Sequence, residues 1–222
     1  MNKIFSIAID GPAGAGKSTV ARAASAELGA MYLDTGAMYR TVGLMAKRSG
    51  VNTKDDAGLA KLLETADIRV VMTEDGQRML LAGEDVEDLI RTPEISMAAS
   101  DVAVCPSVRK KMVALQQAIA RENDVVMDGR DIGTRVLPNA EYKFFLTASP
   151  EVRAMRRFDE LRNKGKDVTY DDVLADVKAR DLQDTTRKES PLTLAPDATE
   201  VQTDDLNAEE VVQVIMALMG RF

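Results

Sequence analysis

The chain has 222 residues, contains 29% charged residues and carries a formal net charge of −7 at pH 7. This length predicts one domain, or one domain with an insertion, and the acidic balance argues against binding to a nucleic acid polymer, which needs a basic surface. The lone cysteine excludes an intrachain disulfide framework, and the lack of histidine excludes a Ser-His triad or a histidine metal site. No apolar run reaches the length of a membrane span, and the residues after Met1 predict a strand rather than a signal peptide, so we expect a cytoplasmic globular protein.

Short apolar runs alternate with helical patterns along most of the chain. Strands are predicted at 3–9, 31–33, 124–127, 142–147 and 199–203, and helices at 17–28, 37–48, 55–65, 106–121 and 207–219. Strands separated by helices predict an α/β fold of the phosphate-loop NTPase type, with a parallel five-stranded sheet flanked by helices.

Two stretches depart from this alternation. Asp75-Gly76 separates two β-rich runs and predicts a hairpin, so 66–95 is interpreted as a small antiparallel insertion in a core of 1–65 and 96–222. Residues 149–190 are densely charged with both signs, which predicts exposed helices joined by mobile turns.

The segment DGPAGAGKST, residues 10–19, lies between the first strand and the first helix. It has the pattern Gly-x-x-x-x-Gly-Lys-Ser, in which glycine-rich backbone and a helix N-terminus bind nucleotide phosphates. Lys17 is expected to reach the β- and γ-phosphates, and Ser18 to bind magnesium. The predicted ATP-binding residues of this loop are Gly11, Pro12, Ala13, Gly14, Ala15, Gly16, Lys17, Ser18 and Thr19. The alternative is a flexible glycine-rich turn.

The fate of the γ-phosphate depends on the rest of the chain. A GTPase would need a guanine-reading Asn-Lys-x-Asp element, and the sequence has none. A motor would usually be larger, whereas a kinase needs a second site for an anionic or hydroxylic acceptor. Three segments have the residues for such a site.

The first segment is LDTGAMYR, residues 33–40. A strand ends at Asp34 and a turn leads into a helix that carries Tyr39 and Arg40. These two side chains would face a ligand beside the phosphate loop if strand 31–33 neighbours strand 3–9. The alternative is a capped helix start with a surface arginine.

The second segment is VVMDGRDIGT, residues 125–134. Asp128 ends an apolar strand, as does the acidic residue that holds magnesium in phosphate-loop enzymes. Arg130 and Asp131 follow at the carboxyl end of the strand, where open α/β sheets bind ligands. An arginine suits a phosphate and an aspartate suits a base amino group, although the two could also form a mutual surface salt bridge.

The third segment is ARDLQDTTRKESPL, residues 179–192. If it is helical, Arg180, Asp184 and Arg187 form one stripe. A second stripe upstream consists of Arg153, Arg156 and Arg157. Such charge runs are usually solvated faces, but phosphoryl transfer depends on cationic stabilisation of the transferred group, and these arginines fit that need.

Taken in order, the motifs IDGPAGAGKST, LDTGAMYR, DGRDIGT and RDLQDTTRKESPL resemble those of bacterial cytidylate kinases, over nearly the whole chain. The resemblance implies transfer of the γ-phosphate of ATP to CMP or dCMP, with magnesium and without a general base. It also implies a monophosphate-binding role for insertion 66–95 and a lid at about 150–168 that closes over ATP.

The same resemblance implies roles for individual residues. The catalytic group would consist of Lys17, Arg130, Arg180 and Arg187. Arg157 joins the ATP-binding residues, and Ser18 with Asp128 would hold the metal. The phosphate of the acceptor would be bound by Arg40 and Arg130, and its sugar by Arg180 and Asp184. Arg187 would contact the phosphates when the site closes. The cytosine base would be recognised by Ser100, Arg109 and Asp131, with Thr35 close by.

Other functions stay open at this point. The acceptor could be UMP, AMP or a small hydroxylic molecule, or the chain could be a phosphate-loop binding or regulatory module. The paired arginines and aspartates argue against a pure binding module, which has no use for a second anion site. We expect a monomer, because each apolar helical face has an intrachain use.

Overall fold

The computed structural model describes residues 4–73 and 76–220. In these ranges the strands are β1 Ser6–Asp10, β2 Met31–Asp34, β3 Ile68–Thr73, β4 Gly76–Leu81, β5 Glu84–Asp85, β6 Val125–Gly129, β7 Tyr142–Thr147 and β8 Thr199–Gln202. The α-helices are α1 Lys17–Leu28, α2 Thr35–Arg48, α3 Asp56–Glu64, α4 Pro93–Val102, α5 Pro106–Glu122, α6 Pro150–Asn163, α7 Tyr170–Thr186 and α8 Ala208–Leu218. A 3-10 turn spans Leu89–Arg91 and a π-helical turn spans Ile132–Val136.

The main sheet has five strands in the order β2-β6-β1-β7-β8. Strand β1 pairs in parallel with β6 on one side and β7 on the other, and β7 pairs in parallel with β8. The predicted α/β class with a five-stranded sheet is therefore confirmed. The register places Asp10 of β1 opposite Gly129 of β6, so the phosphate loop and the segment after β6 begin at the same edge of the sheet.

The condition that strand 31–33 neighbours strand 3–9 is not met, because β6 lies between β2 and β1. The reason is visible in the burial of β6. Val125, Val126 and Met127 are all fully buried. A strand that is apolar on both faces suits the interior of a parallel sheet, so β6 enters the centre although it comes much later in the chain than β2.

The chain forms two compact units. The first consists of the segment that ends at Met31 and the segment that begins at Asp124, and the second is Tyr32–Asn123. The second unit contains α2 to α5 and the small sheet. Its helices α2 and α4 pack closely, because Gly43 carries no side chain: a Cβ there would lie 3.0 Å from the Cβ of Ala98.

The predicted antiparallel insertion is confirmed as a three-stranded sheet in the order β3-β4-β5. Strands β3 and β4 pair from Ile68 opposite Leu81 to Thr73 opposite Gly76. Asp75, half of the predicted turn, lies outside the described residues. The boundaries 66–95 stay a prediction, and α4, which the sequence does not predict, begins at Pro93.

The charged stretch 149–190 forms the helices α6 and α7, each started by a capping hydroxyl. Ser149 caps α6 and Thr169 caps α7. The two helices share a small apolar core of Ala154, Val173 and Val177. Across the part of the chain that the structure describes, no helix is long and apolar enough to cross a membrane.

Candidate active site

The phosphate loop depends on glycine at two positions. Gly11 has a φ of +145°, and a Cβ built there would clash with the backbone carbonyl oxygen of Leu146. Gly16 has a φ of +85° and is the N-cap of α1. Because this N-cap has no side-chain oxygen, the first N–H groups of α1 are left to bind an anion.

Lys17 is buried at the start of α1, with 5% of its surface exposed. Its Nζ donates to the Pro12 carbonyl oxygen at 2.7 Å, so the lysine closes back over the loop. Burial is the main cause that lowers the pKa of Lys17 to about 7, and the charge of Arg130 lowers it further. The charges of three nearby carboxylates oppose this shift. A bound phosphate would favour the ammonium form.

An open cleft of about 340 Å³ lies beside the loop in the first unit. It is lined by Gly14, Gly16, Lys17, Ser18, Thr19, Arg156, Arg157 and Glu160. Arg157 pairs with Glu160 at 2.7 Å, whereas Arg156 donates to backbone carbonyls of Thr203 and Leu206. The structure therefore places Arg157 with the phosphate loop, and it adds Arg156 and Glu160, to which the sequence gives no role in binding ATP.

Ser18 and Asp128 form the candidate metal site. The Ser18 hydroxyl donates to Oδ2 of Asp128 at 2.8 Å, and Asp128 is 6% exposed. Hydroxyl and carboxylate oxygens suit a hard divalent cation. The described residues contain no cluster of three or more acidic, histidine or cysteine side chains that could cage a metal. These two oxygen donors fit Mg²⁺, which is usually held by one or two carboxylates, substrate phosphates and water.

Asp10 anchors the segment that follows β6, a role that sequence reasoning missed. Its two carboxylate oxygens accept from the backbone N–H groups of Ile132 at 2.8 Å and Gly133 at 2.7 Å. Burial raises the pKa of Asp10 to about 6, although both backbone hydrogen bonds oppose the shift. Asp131, the residue just before this π-helical turn, is buried. The signal in the sequence that could have revealed this role of Asp10 is an acidic residue at the end of an apolar strand.

Arg130 is paired with a carboxylate far away in the sequence. Its Nε donates to Oδ2 of Asp184 at 2.7 Å, and Arg187 lies 3.8 Å from the other oxygen of Asp184. Burial raises the pKa of Asp184, but the charge and hydrogen bond of Arg130, and the charges of Arg187 and Arg180, lower it below its usual range. Four predicted residues, Arg130, Arg180, Asp184 and Arg187, are thus brought together.

The condition for a single helical stripe of Arg180, Asp184 and Arg187 fails at Arg187. Helix α7 ends at Thr186, and Arg187 has an extended backbone with a ψ of 139°. Its Nε donates to the carbonyl oxygen of Ser190, which turns the chain back toward the helix end. Arg187 therefore reaches Asp184 from the loop that follows the helix.

In the second unit, Asp34 organises the start of α2. Its Oδ1 accepts from the Ala37 N–H, and its Oδ2 accepts from Arg40 at 2.8 Å and Arg91 at 2.9 Å. Burial raises the pKa of Asp34, but the charges of the two arginines lower it overall. The side chain of Arg40 is only 19% exposed, so Arg40 is not a surface arginine. Thr35, the first residue of α2, is buried.

Two partners of Asp34 were not predicted from the sequence. The Gln77 side chain accepts from the Asp34 N–H at 2.8 Å and donates to its carbonyl oxygen at 3.3 Å. Arg91 also pairs with Glu87, four positions earlier in the turn before the 3-10 helix. A Glu-x-x-x-Arg spacing was the one local signal for this arginine.

The two remaining predicted residues lie on α4 and α5. Arg109 is buried, donates to the Ala103 carbonyl oxygen at 3.3 Å and lies over the ring of Tyr39, 5.9 Å from its centroid. Ser100 donates to the Ser96 carbonyl oxygen at 3.3 Å. Arg109 is thus in contact with the LDTGAMYR segment, in a cation–π geometry.

A family model described as cytidylate kinase matches residues 7–221 of this chain. The chain belongs to the cytidylate kinase family. It is 50% identical over 215 residues to a cytidylate kinase of Carboxydothermus hydrogenoformans, which covers 97% of each chain. It is 48% identical over 216 residues to the cytidylate kinase of Bacillus subtilis, covering 97% of this chain and 96% of the relative.

Solved structures support the fold of this cytidylate kinase family member. The shikimate kinase from Bacteroides thetaiotaomicron matches 98% of this chain and 99% of its own, with a TM-score of 0.50 and 15% identity. At that identity the match concerns the fold alone. Membership of the family makes the chain a kinase that uses ATP with a divalent metal ion.

Proposed function

We propose that this protein transfers the γ-phosphate of ATP to CMP or dCMP, giving ADP and CDP or dCDP. The observation that carries the proposal is the proximity of two cations, one from each half of the reaction. Arg130, predicted for the acceptor phosphate, lies close enough to Lys17 of the phosphate loop to lower its pKa. Carboxylates, Asp184 among them, offset part of this positive charge, and a transferred phosphoryl group that met both cations would be stabilised by them.

The proposed mechanism is a direct in-line transfer. The attacking oxygen belongs to the acceptor phosphate and is already ionised near neutral pH, so the chain needs no general base. Lys17 and Arg130 stabilise the charge of the transferred phosphoryl group, which is the main requirement of this chemistry. We propose Mg²⁺ as the divalent ion; Ser18 and Asp128 would hold it, and it would neutralise and orient the ATP phosphates.

The other residue assignments are those implied by the family resemblance. The phosphate loop and Arg157 bind ATP, supported by the shared cleft. Arg180 and Asp184 bind the acceptor sugar, and Arg187 contacts the phosphates, supported by their grouping around Arg130. The proposed acceptor-phosphate residue of the second unit is Arg40, and the proposed cytosine-reading residues are Asp131, Ser100 and Arg109 with Thr35.

The remaining proposals concern closure, assembly and location. We retain 66–95 as the monophosphate-binding insertion and about 150–168 as the lid. A monomer remains our expectation. The acidic net charge supports small nucleotides rather than a nucleic acid polymer as partners, and the single, buried cysteine supports a cytoplasmic location.

The proposal is tested by measuring ADP release in a coupled assay with CMP, dCMP, UMP and AMP as acceptors. We expect rapid turnover with CMP and dCMP, and much slower turnover with UMP and AMP. ADP release that no acceptor stimulates would indicate an ATP-binding module or a slow ATPase. Faster turnover of UMP or AMP than of CMP and dCMP would show that the proposed acceptor is wrong.

A further inference from the structure

Arg153, near the start of α6, is a buried arginine to which the proposed reaction assigns no role. It lies at the N-terminal end of the segment proposed as the lid, and its contacts would hold that end in place, so that closure would move the residues after it. Its side chain is 3% exposed. Nε donates to the Ala148 carbonyl oxygen at 2.9 Å, and Nη1 donates to the Ala13 carbonyl oxygen at 3.0 Å. Nη1 and Nη2 also donate to the two carboxylate oxygens of Asp181, at 2.8 and 2.5 Å. The guanidinium therefore joins three segments of the first unit.

One of these segments is the phosphate loop itself. Ala13 lies between the two obligatory glycines of the loop, and its neighbour Gly14 packs directly on Arg153. A Cβ at Gly14 would lie 3.1 Å from the Cβ of Arg153, and Gly14 has a φ of +80°. The loop thus rests on Arg153 through both a hydrogen bond and close packing.

Another segment is α7, which carries proposed acceptor residues. Asp181 follows Arg180 directly and precedes Asp184 by three positions, and Asp184 is the residue that holds Arg130. The two parallel hydrogen bonds between Arg153 and Asp181 fix both the distance and the orientation of the helix. A continuous path of contacts therefore runs from Ala13 through Arg153 and Asp181 along α7 to Arg130.

We propose that Arg153 is a positioning residue that sets the spacing between the phosphate loop and the acceptor-binding residues of α7. The inference rests on the proposed function, since the spacing matters only if phosphate passes from one group to the other. A planar guanidinium can make all of these bonds at once, whereas a lysine ammonium cannot reproduce the bidentate pair. Misplacement of reacting groups by about 1 Å can lower the rate on the order of 100-fold.

The test compares Asp181→Asn and Arg153→Lys with Lys178→Ala as the matched control. Lys178 on α7 pairs with Glu151 on α6 at 3.1 Å, so it joins the same two helices without touching the phosphate loop. For Asp181→Asn we expect kcat to fall at least about tenfold while ATP affinity of the free enzyme stays within about twofold. For Arg153→Lys we expect a similar fall in kcat and ATP binding weakened about tenfold or more, because the Ala13 contact is also lost.

The double variant tests whether Arg153 and Asp181 act together, and a correction for the fraction of folded sites removes any effect of unfolding. If Arg153 and Asp181 act as one unit, Arg153→Lys combined with Asp181→Asn should be no slower than the slower single variant. All rates are expressed per folded site, from ATP-binding stoichiometry, at a temperature below each melting transition. The inference is overturned if Asp181→Asn affects kcat no more than Lys178→Ala, or if the activity loss disappears after this correction.

Failure of the proposed function would look different. In that case wild-type protein would phosphorylate no monophosphate, whatever the state of Arg153. The ATP-binding comparison of Arg153→Lys with Lys178→Ala would still test whether Arg153 supports the phosphate loop. Equal ATP affinity in those two variants would overturn that part of the inference.

Discussion

ATP binding should add a proton to Lys17. With a pKa of about 7 in the free protein, the Lys17 side chain is about one-tenth ammonium at pH 8. Bound phosphates favour the charged form and raise that pKa well above 8. On binding at pH 8, Lys17 should therefore take up most of one proton per site, whereas at pH 6, where the lysine is already largely charged, it should take up much less. ATP affinity should consequently contain a component that falls as pH rises.

Isothermal calorimetry measures this uptake directly. The observed binding enthalpy is plotted against the ionisation enthalpy of several buffers at pH 8, and the slope gives the number of protons. Asp10, with a pKa of about 6, is ionised throughout at this pH and adds little. Lys17→Arg is the control, because a guanidinium is charged in both states and should give a slope near zero from this position. A wild-type slope near zero, or equal slopes in both proteins, would refute the reasoning.

Three further predictions concern single substitutions. Arg130→Lys should lose most activity with little change in ATP binding, because a lysine cannot bind both Asp184 and a phosphate. If calorimetry shows that ATP and CMP binding are weakened equally, Arg130 is wrongly assigned. Asp131→Ala should shrink the ratio of kcat/KM for CMP over UMP, by up to about 10,000-fold for a complete mismatch, and an unchanged ratio would remove Asp131 from base recognition. Gly11→Ala should lower the melting temperature and abolish ATP binding, because its Cβ meets the Leu146 carbonyl oxygen. Gly83→Ala shares the strain of a positive φ, +82°, but has open space around the added Cβ, so it should lower the melting temperature less and leave ATP binding near wild type.

Local signals in the sequence were sufficient for several elements of the fold. Helix α1 is predicted at its observed bounds, because Gly16 and Gly29 lie at its two ends in left-handed conformations. Strand β7 also matches residue for residue. The phosphate loop is equally local, since its glycines, lysine and serine are contiguous and their spacing alone defines the anion site.

The remainder depends on contacts between distant residues, which a single sequence does not display. The central place of β6 follows from its burial against two other strands, so the sheet order could not be read from chain order. Gln77 and Asp34 are 43 positions apart, and the amide of Gln77 matches the backbone of Asp34 only once the hairpin has formed. The sequence places Arg153 in an arginine stripe that suits either a solvated face or a cationic site. Neither interpretation contains its pairing with Asp181, because that pairing requires two helices to pack first.

The most direct test of the account follows the γ-phosphate itself. Wild-type protein and Lys17→Ala are incubated with ATP labelled in the γ-phosphate and with CMP, and the products are separated. The account predicts that the label appears in the β-phosphate of CDP, and that its rate falls about 100- to 1,000-fold in Lys17→Ala. Label that appears as inorganic phosphate, or that reaches CDP equally fast in Lys17→Ala, would contradict it.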